Sequence, residues 1–455
     1  MSSSAALGYH CSVCRRDYSF DDVSYTCPAD GGNLDVLLDY KAISRASSPK
    51  AIGESRDESI WRYLSLLPVE DPGLHGTALR AVGWTPLLSP PLLAAELGLR
   101  RLWLKDDGRN PTASFKDRAS AVAVARARQV GAEVVVTAST GNAGAALAGM
   151  AAAAGMPAVI LAPRTAPPAK VAQLLMFGAR VLLVDGSYDQ AFDLTLEAAR
   201  EFGWYCRNTG YNPFTAEGKK TAAFEICEQL TRSVGAHTCP EPQAVRPGGL
   251  RPPGRGPNGV RGGRAALQWV SPDAVFVSVG DGNIISGLHK GFKDLVALGW
   301  IERAPKLYGI QSEGSAAIYN AFVSGSEVIT PVHAQTLADS ISVDLPRDGL
   351  RALRAARETG GAVLAVTDAE ILAAMRALAR KAAVFAEPAG AAGYAGLVKA
   401  VAGGLISPEE RIVVLNTGSG LKDVQAAMQA AGEATVIEPK LEAVRSALRA
   451  GPAGQ

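Results

Sequence analysis

The sequence predicts an α/β protein built on parallel sheets. Eight short apolar runs recur along the chain: RLWLK at 101, EVVVTAS at 133, PAVILAP at 157, RVLLVDG at 180, DAVFVSVG at 273, KLYGIQ at 306, GAVLAVTD at 361 and RIVVLNTG at 411. Gly or Pro punctuates them, and Ala-rich or amphipathic stretches of helical length lie between them. Strands that alternate with helices in this way form βαβ units, and runs this continuously apolar suit a sheet covered on both faces.

Length and charge bound what such a protein does. The 455 residues exceed one ordinary core and suffice for two or three domains. Lys and Arg number 46 against 44 Asp and Glu, a net +2, so no strong field argues for nucleic acid or an anionic membrane as partner. No stretch approaches the ~18 uninterrupted apolar residues of a membrane span. The start, MSSSAALGYHC, lacks a basic segment followed by an apolar one, so no signal peptide is expected and the cytoplasm is the expected compartment. Six Cys in a chain of this length do not make a disulfide scaffold.

Taken in order, residues 1–40 carry three of the six Cys. Cys11 and Cys14 form a C-x-x-C pair, and Cys27 with Asp30 echoes a second. One reading is a zinc ribbon with Asp30 as fourth ligand and His10 competing for that place. The other is a ribbon without metal, held by Tyr9, Tyr18, Phe20 and Tyr25. Residues 41–100 read as a helical and extended lead-in, and the strand–helix alternation then runs to about 235. Residues 240–264 interrupt it with 6 Pro, 7 Gly and 5 Arg in 25 positions, a composition that buries no face and predicts a disordered insertion. The alternation resumes at 273.

In sheets of this kind ligands sit beyond the carboxyl ends of strands, at helix N-termini. After RLWLK comes DDGRNPTASFKDR, in which a helix is expected to begin near Ser114, with Lys116 in its first turn. There the macrodipole lowers an amine's pKa, which would serve a Schiff-base lysine and does nothing for a surface one. After EVVVTAS, the turn Ser139-Thr140-Gly141-Asn142 leads into an Ala-rich helix and makes an anion cradle. After DAVFVSVG, the loop from Gly280 to Gly287 echoes a dinucleotide fingerprint without its spacing. After RIVVLN, Thr417 stands at a strand end among glycines, where a hydroxyl could meet a ligand's ring nitrogen.

Together these strings resemble one family. NPTASFKDR at 110–118, ASTGNAG at 138–144, YNPFTAEGKKTAAFEICEQL at 211–230, SVGDGNIISGLHKGFKDL at 278–295, AEPAGAAGYAGL at 386–397 and TGSGLKD at 417–423 are similar, in order, to the fold-type-II pyridoxal-phosphate enzymes, and within them to the threonine synthases. The resemblance implies a large cofactor domain from 41–114 and 206–440, a small mobile domain at 115–205, a ribbon-like segment at 1–40 and a tail at 441–455. It implies that Lys116 joins pyridoxal 5'-phosphate covalently and that Asn142 bonds the cofactor's phenolic oxygen. Gly280, Asp281, Gly282, Asn283 and Ile284 would cradle its phosphate, and Thr417 would face its ring nitrogen. The implied activity is conversion of O-phospho-L-homoserine and water to L-threonine and phosphate by a cytoplasmic homodimer. Ser139, Thr140, Asn208, Thr215 and Lys219 would contact the amino-acid substrate. Many members carry Thr after the Asn of the STGN turn and Arg two residues after the Asn-Pro. Here those positions are Ala143 and Thr215, leaving Lys219, Lys220, Asn208, Thr209 or Ser187 to hold a substrate phosphate. The alternative is another lyase or β-replacement enzyme of the same fold, such as a serine/threonine ammonia-lyase or a cysteate-synthase-like enzyme.

Overall fold

The computed structural model describes residues 5–139, 141–166, 168–236, 268–432 and 434–450. The expected insertion at 240–264 and Thr140 lie outside the described residues. All eight apolar runs form strands, and they divide between two sheets.

The larger sheet has six strands in the order Ala362–Val366, Lys306–Ser312, Ala274–Ser278, Arg411–Asn416, Arg101–Asp106 and Leu87–Leu88. The first five run parallel, and the two-residue edge strand is antiparallel. Alternate residues feed opposite cores. Val275, Val277, Val413 and Leu415 join the cluster under the helices Lys116–Gln129, Phe214–Ala236 and Asn283–Ala297. Phe276, Ile412 and Val414 join the cluster under Asp368–Ala382 and Pro388–Ala402. Both faces are therefore covered, which is why these runs carry no polar alternation.

The smaller sheet is wholly parallel, in the order Arg180–Val184, Ala158–Pro163, Val135–Ala138 and Tyr205–Cys206. The N-terminal segment forms a third, antiparallel sheet in which Ala6–Cys11 lies between Asp17–Tyr18 and Leu34–Leu38. No described helix is long and apolar enough to cross a membrane.

Buried charge ties the helix Lys116–Gln129 to its neighbours. Arg118 pairs with Asp107 at 2.6 Å and with Glu225 at 2.6 Å, and Lys105 pairs with Glu225 at 2.7 Å; all four side chains are fully buried. The helix Phe214–Ala236 crosses close above, because a Cβ on Gly218 would sit 2.0 Å from the Arg118 carbonyl oxygen.

Candidate active site

The helix carrying Lys116 begins at that residue, two positions after the sequence-based expectation. The backbone before it is pinned from both sides. The Phe115 N–H donates to the Thr417 carbonyl at 2.9 Å, and the Ser419 N–H donates to the Ala113 carbonyl at 3.0 Å. Asp117 accepts the Thr112 N–H at 2.6 Å and the Thr112 hydroxyl. Ala113 is held at φ +64°, a left-handed conformation that a side chain tolerates only under such constraint.

Lys116 opens onto a cavity of about 450 Å³. Its amine bonds no described residue, and the half-buried side chain lies against the cavity wall. That desolvation is the first cause of its lowered pKa; Glu387 opposes it and Arg207 adds to it. Burial thus does what the sequence assigned to helix position.

The strand Ala274–Ser278 ends in the loop expected to hold a phosphate, and Gly280, Asp281, Gly282, Asn283 and Ile284 all line the cavity. Gly282 has φ +91°, and a Cβ there would lie 2.7 Å from the Asp348 carbonyl oxygen. The Asn283 Nδ2 donates to Asp348 at 2.7 Å, and its Oδ1 accepts from Lys219 and, at 3.1 Å, from Thr215. Asp281 caps no helix; it accepts the Arg347 N–H at 3.2 Å. On the far side Thr417 lines the cavity, its hydroxyl 3.2 Å from that of Ser278.

An adjoining cleft of about 1070 Å³ shares Lys116, Thr209, Asp281 and Ser340 with this cavity and adds Ser139 and Asn142. Lys219 and Thr209 belong to the cavity wall, whereas Asn208 and Thr215 line neither space. Asn208 Oδ1 instead accepts from Thr137 Oγ1 at 2.9 Å and from the Ala138 N–H at 2.8 Å, holding the strand that leads to Ser139.

Sequence reasoning missed Glu387. It sits just before the helix Pro388–Ala402, lines the cavity and accepts from Asn142 Nδ2 at 2.6 Å. Burial raises its pKa to about 6, against the pull of Lys116. A carboxylate opening an Ala- and Gly-rich helix was the available signal, since a helix of such small residues lets backbones and side chains crowd together.

The cavity fits pyridoxal phosphate. A half-buried amine with a lowered pKa, a loop whose two glycines leave no room for a Cβ, and a paired hydroxyl all face one space. Comparison with known proteins agrees. The family described as "Pyridoxal-phosphate dependent enzyme" matches residues 78–243 and 263–418, a break that coincides with the Pro- and Gly-rich stretch. The threonine synthase of Methanocaldococcus jannaschii is 37% identical over 441 residues, 96% of this chain and 98% of that one. That of Methanosarcina acetivorans is 38% identical over 444 residues, 97% and 98% of the two chains. The chain belongs to the threonine synthase family of pyridoxal-phosphate-dependent enzymes. Pyridoxal phosphate is its cofactor, and it is a lyase of that family. Among solved structures it is similar to the processed threonine deaminase isoform 2 of Solanum lycopersicum, with a TM-score of 0.61 at 21% identity over 84% of this chain and 90% of that one. Maize serine racemase matches with a TM-score of 0.58 at 21% identity over 76% and 91%. These two likenesses concern the fold.

Away from the cavity, Cys11, Cys14, Cys27 and Asp30 place their ligand atoms within 4.8 Å of one another. Cys14 and Cys27 are 3.6 Å apart at sulfur, and Cys11 Sγ lies 3.4 Å from Asp30 Oδ1. A zinc tetrahedron with bonds of about 2.3 Å has edges near ~3.8 Å, so the spacing fits that ion. His10 pairs instead with Asp17 at 2.6 Å.

Proposed function

We propose that the protein converts O-phospho-L-homoserine and water into L-threonine and phosphate in the cytoplasm, as a homodimer. The observation that carries this reading is Lys116: a half-buried amine without a described partner, lining one cavity with the glycine loop 280–284 and Thr417, in a chain that shares almost its full length with threonine synthases.

Bound at Lys116, pyridoxal phosphate supplies an electron sink for charge developing on the substrate carbons. The residues do the rest. The backbone of Gly280–Ile284 would hold the cofactor's phosphate, with Asn283 fixed by Lys219 and Asp348. Thr417, steadied by Ser278, would offer the ring nitrogen a hydroxyl and not a carboxylate, which would not force a proton onto the ring. That favours elimination and replacement over transamination. Asn142, fixed by Glu387, would bond the cofactor's phenolic oxygen. Lys116, desolvated and so ready to be neutral, takes the proton from Cα and returns protons along the substrate chain. Ser139 and Lys219 contact the substrate. The unit at 115–205, which contains most of the smaller sheet, closes over the bound amino acid and keeps water from the wrong step. The four-ligand cluster of the N-terminal sheet holds zinc as a structural ion.

The second reading, an ammonia-lyase of the same fold, draws on Thr215 and Ala143 standing where many relatives place phosphate contacts. Assay of phosphate against ammonia release, with O-phosphohomoserine, serine and threonine, separates the two. Phosphate release with threonine formation is expected. Lys116→Ala should abolish turnover while circular dichroism stays native. Borohydride reduction followed by mass spectrometry should place the cofactor on Lys116; an adduct elsewhere would overturn the assignment.

A further inference from the structure

Among the described residues, the buried arginines are paired with carboxylates, with one exception. Arg62 meets Glu228, Arg118 meets Asp107 and Glu225, and Arg351 meets Asp348 and Asp35. Arg207 is fully buried and meets no carboxylate among the described residues. Its Nε donates to Ser120 Oγ at 3.2 Å and its Nη1 donates to Thr209 Oγ1 at 2.8 Å, while Nη2 has no described partner. A guanidinium withdrawn from water without a counter-ion costs several kcal/mol. It does not escape by neutralising, since burial lowers its pKa only to about 10. Such a group is stabilised when an anion arrives.

Its place in the fold says which space it serves. Arg207 directly follows Tyr205–Cys206, so it stands at the carboxyl end of a parallel strand, beside the strand end that carries Ser139. Ser120 lies one helical turn from Lys116, on the same side of that helix. Thr209 lines both the cofactor cavity and the adjoining cleft. Because its oxygen already accepts from Arg207, the Thr209 hydroxyl hydrogen is free to point into that space. The other side chains available for a phosphate are mostly occupied. Lys220 is paired with Glu217 and Asp294, Ser187 caps the helix Tyr188–Phe202, and Asn208 Oδ1 holds a neighbouring strand.

We infer that Arg207 and Thr209 form the receptor for the substrate's phosphate group, Thr209 touching it by its hydroxyl and Arg207 supplying the charge from behind. This rests on the proposed reaction and deepens it: a guanidinium reached from strand Tyr205–Cys206 replaces the one absent at Thr215. Arg207 is a positioning residue, acting through Thr209.

The test uses the holoenzyme. In Arg207→Gln, KM for O-phosphohomoserine should rise by at least about tenfold, the scale of losing one unit charge several ångströms from an anion in a protein interior. Binding of inorganic phosphate, followed by calorimetry, should weaken by a similar factor. The affinity for pyridoxal phosphate and the spectral response to L-threonine, which carries no phosphate, should stay within about twofold. Thr209→Val should reproduce the phosphate defect, and Arg207→Lys should recover part of it. Unchanged phosphate binding in Arg207→Gln and Thr209→Val overturns the inference. So does a loss centred on cofactor affinity, which would assign Arg207 to the cofactor's phosphate. Should Arg207→Gln fail to fold, Arg207→Lys and Thr209→Val decide by the same calorimetry. If the wild type binds inorganic phosphate through this pair yet releases none from O-phosphohomoserine, the reaction is wrong and the anion receptor stands.

Discussion

Replacing Glu387 by Gln should change how the apoprotein's stability depends on pH. The side chain is 4% exposed and its pKa is raised from 4.5 to about 6, burial being the first cause. The folded chain therefore binds this proton more tightly than the unfolded chain does. That stabilisation is complete below about pH 4.5 and is lost as pH rises through about 6. A shift of about 1.5 units corresponds to roughly 2 kcal/mol in all, of which about 1 kcal/mol falls between pH 5 and pH 8. Gln is neutral throughout and keeps an Oε1 to accept from Asn142. Urea unfolding of both apoproteins at half-unit intervals should show the wild type losing about 1 kcal/mol relative to Glu387→Gln from pH 5 to pH 8. Curves that stay parallel across that window would refute the account of Glu387 as a carboxyl held partly protonated beside Lys116.

Three further outcomes are expected. Gly282→Ala places a Cβ 2.7 Å from the Asp348 carbonyl oxygen at φ +91°, so the loop must move, and equilibrium dialysis should show cofactor affinity falling by at least about tenfold. Glu225→Gln removes the shared partner of Arg118 and Lys105 in a fully buried site, and should lower unfolding free energy by about 3–5 kcal/mol in denaturant titration. Native mass spectrometry should find one zinc per chain, lost in Cys14→Ser, with the thermal transition of the N-terminal sheet lowered after chelation.

The eight strands were legible because each carries a run of consecutive apolar residues without period-2 alternation, the pattern left by a parallel sheet covered on both faces, although the edge strand Arg180–Val184 keeps that pattern while largely exposed. Lys116, the 280–284 loop and Thr417 could be picked out because ligands in parallel sheets gather beyond strand ends: the loop and Thr417 follow such ends closely, and Lys116 opens the helix after the strand Arg101–Asp106. Glu387 and Arg207 were not. Glu387 reads locally as a helix cap, and only the packing of its helix against the loop 416–418 aims it at Asn142. Arg207 lies within RNTGYNPF, and nothing in its neighbours shows that no carboxylate will reach it.

By itself, then, the sequence determined the elements, their order and the placing of Lys116 at the start of a helix that follows a strand, since those follow from hydrophobic pattern and chain-local geometry. The tertiary structure decided which charges are compensated. Whether a buried group meets its partner depends on residues far apart in the chain: Arg118 finds Glu225 across a helix crossing, and Arg207 finds no described carboxylate. That difference in pairing sets each group's desolvation cost, and no local pattern encodes it.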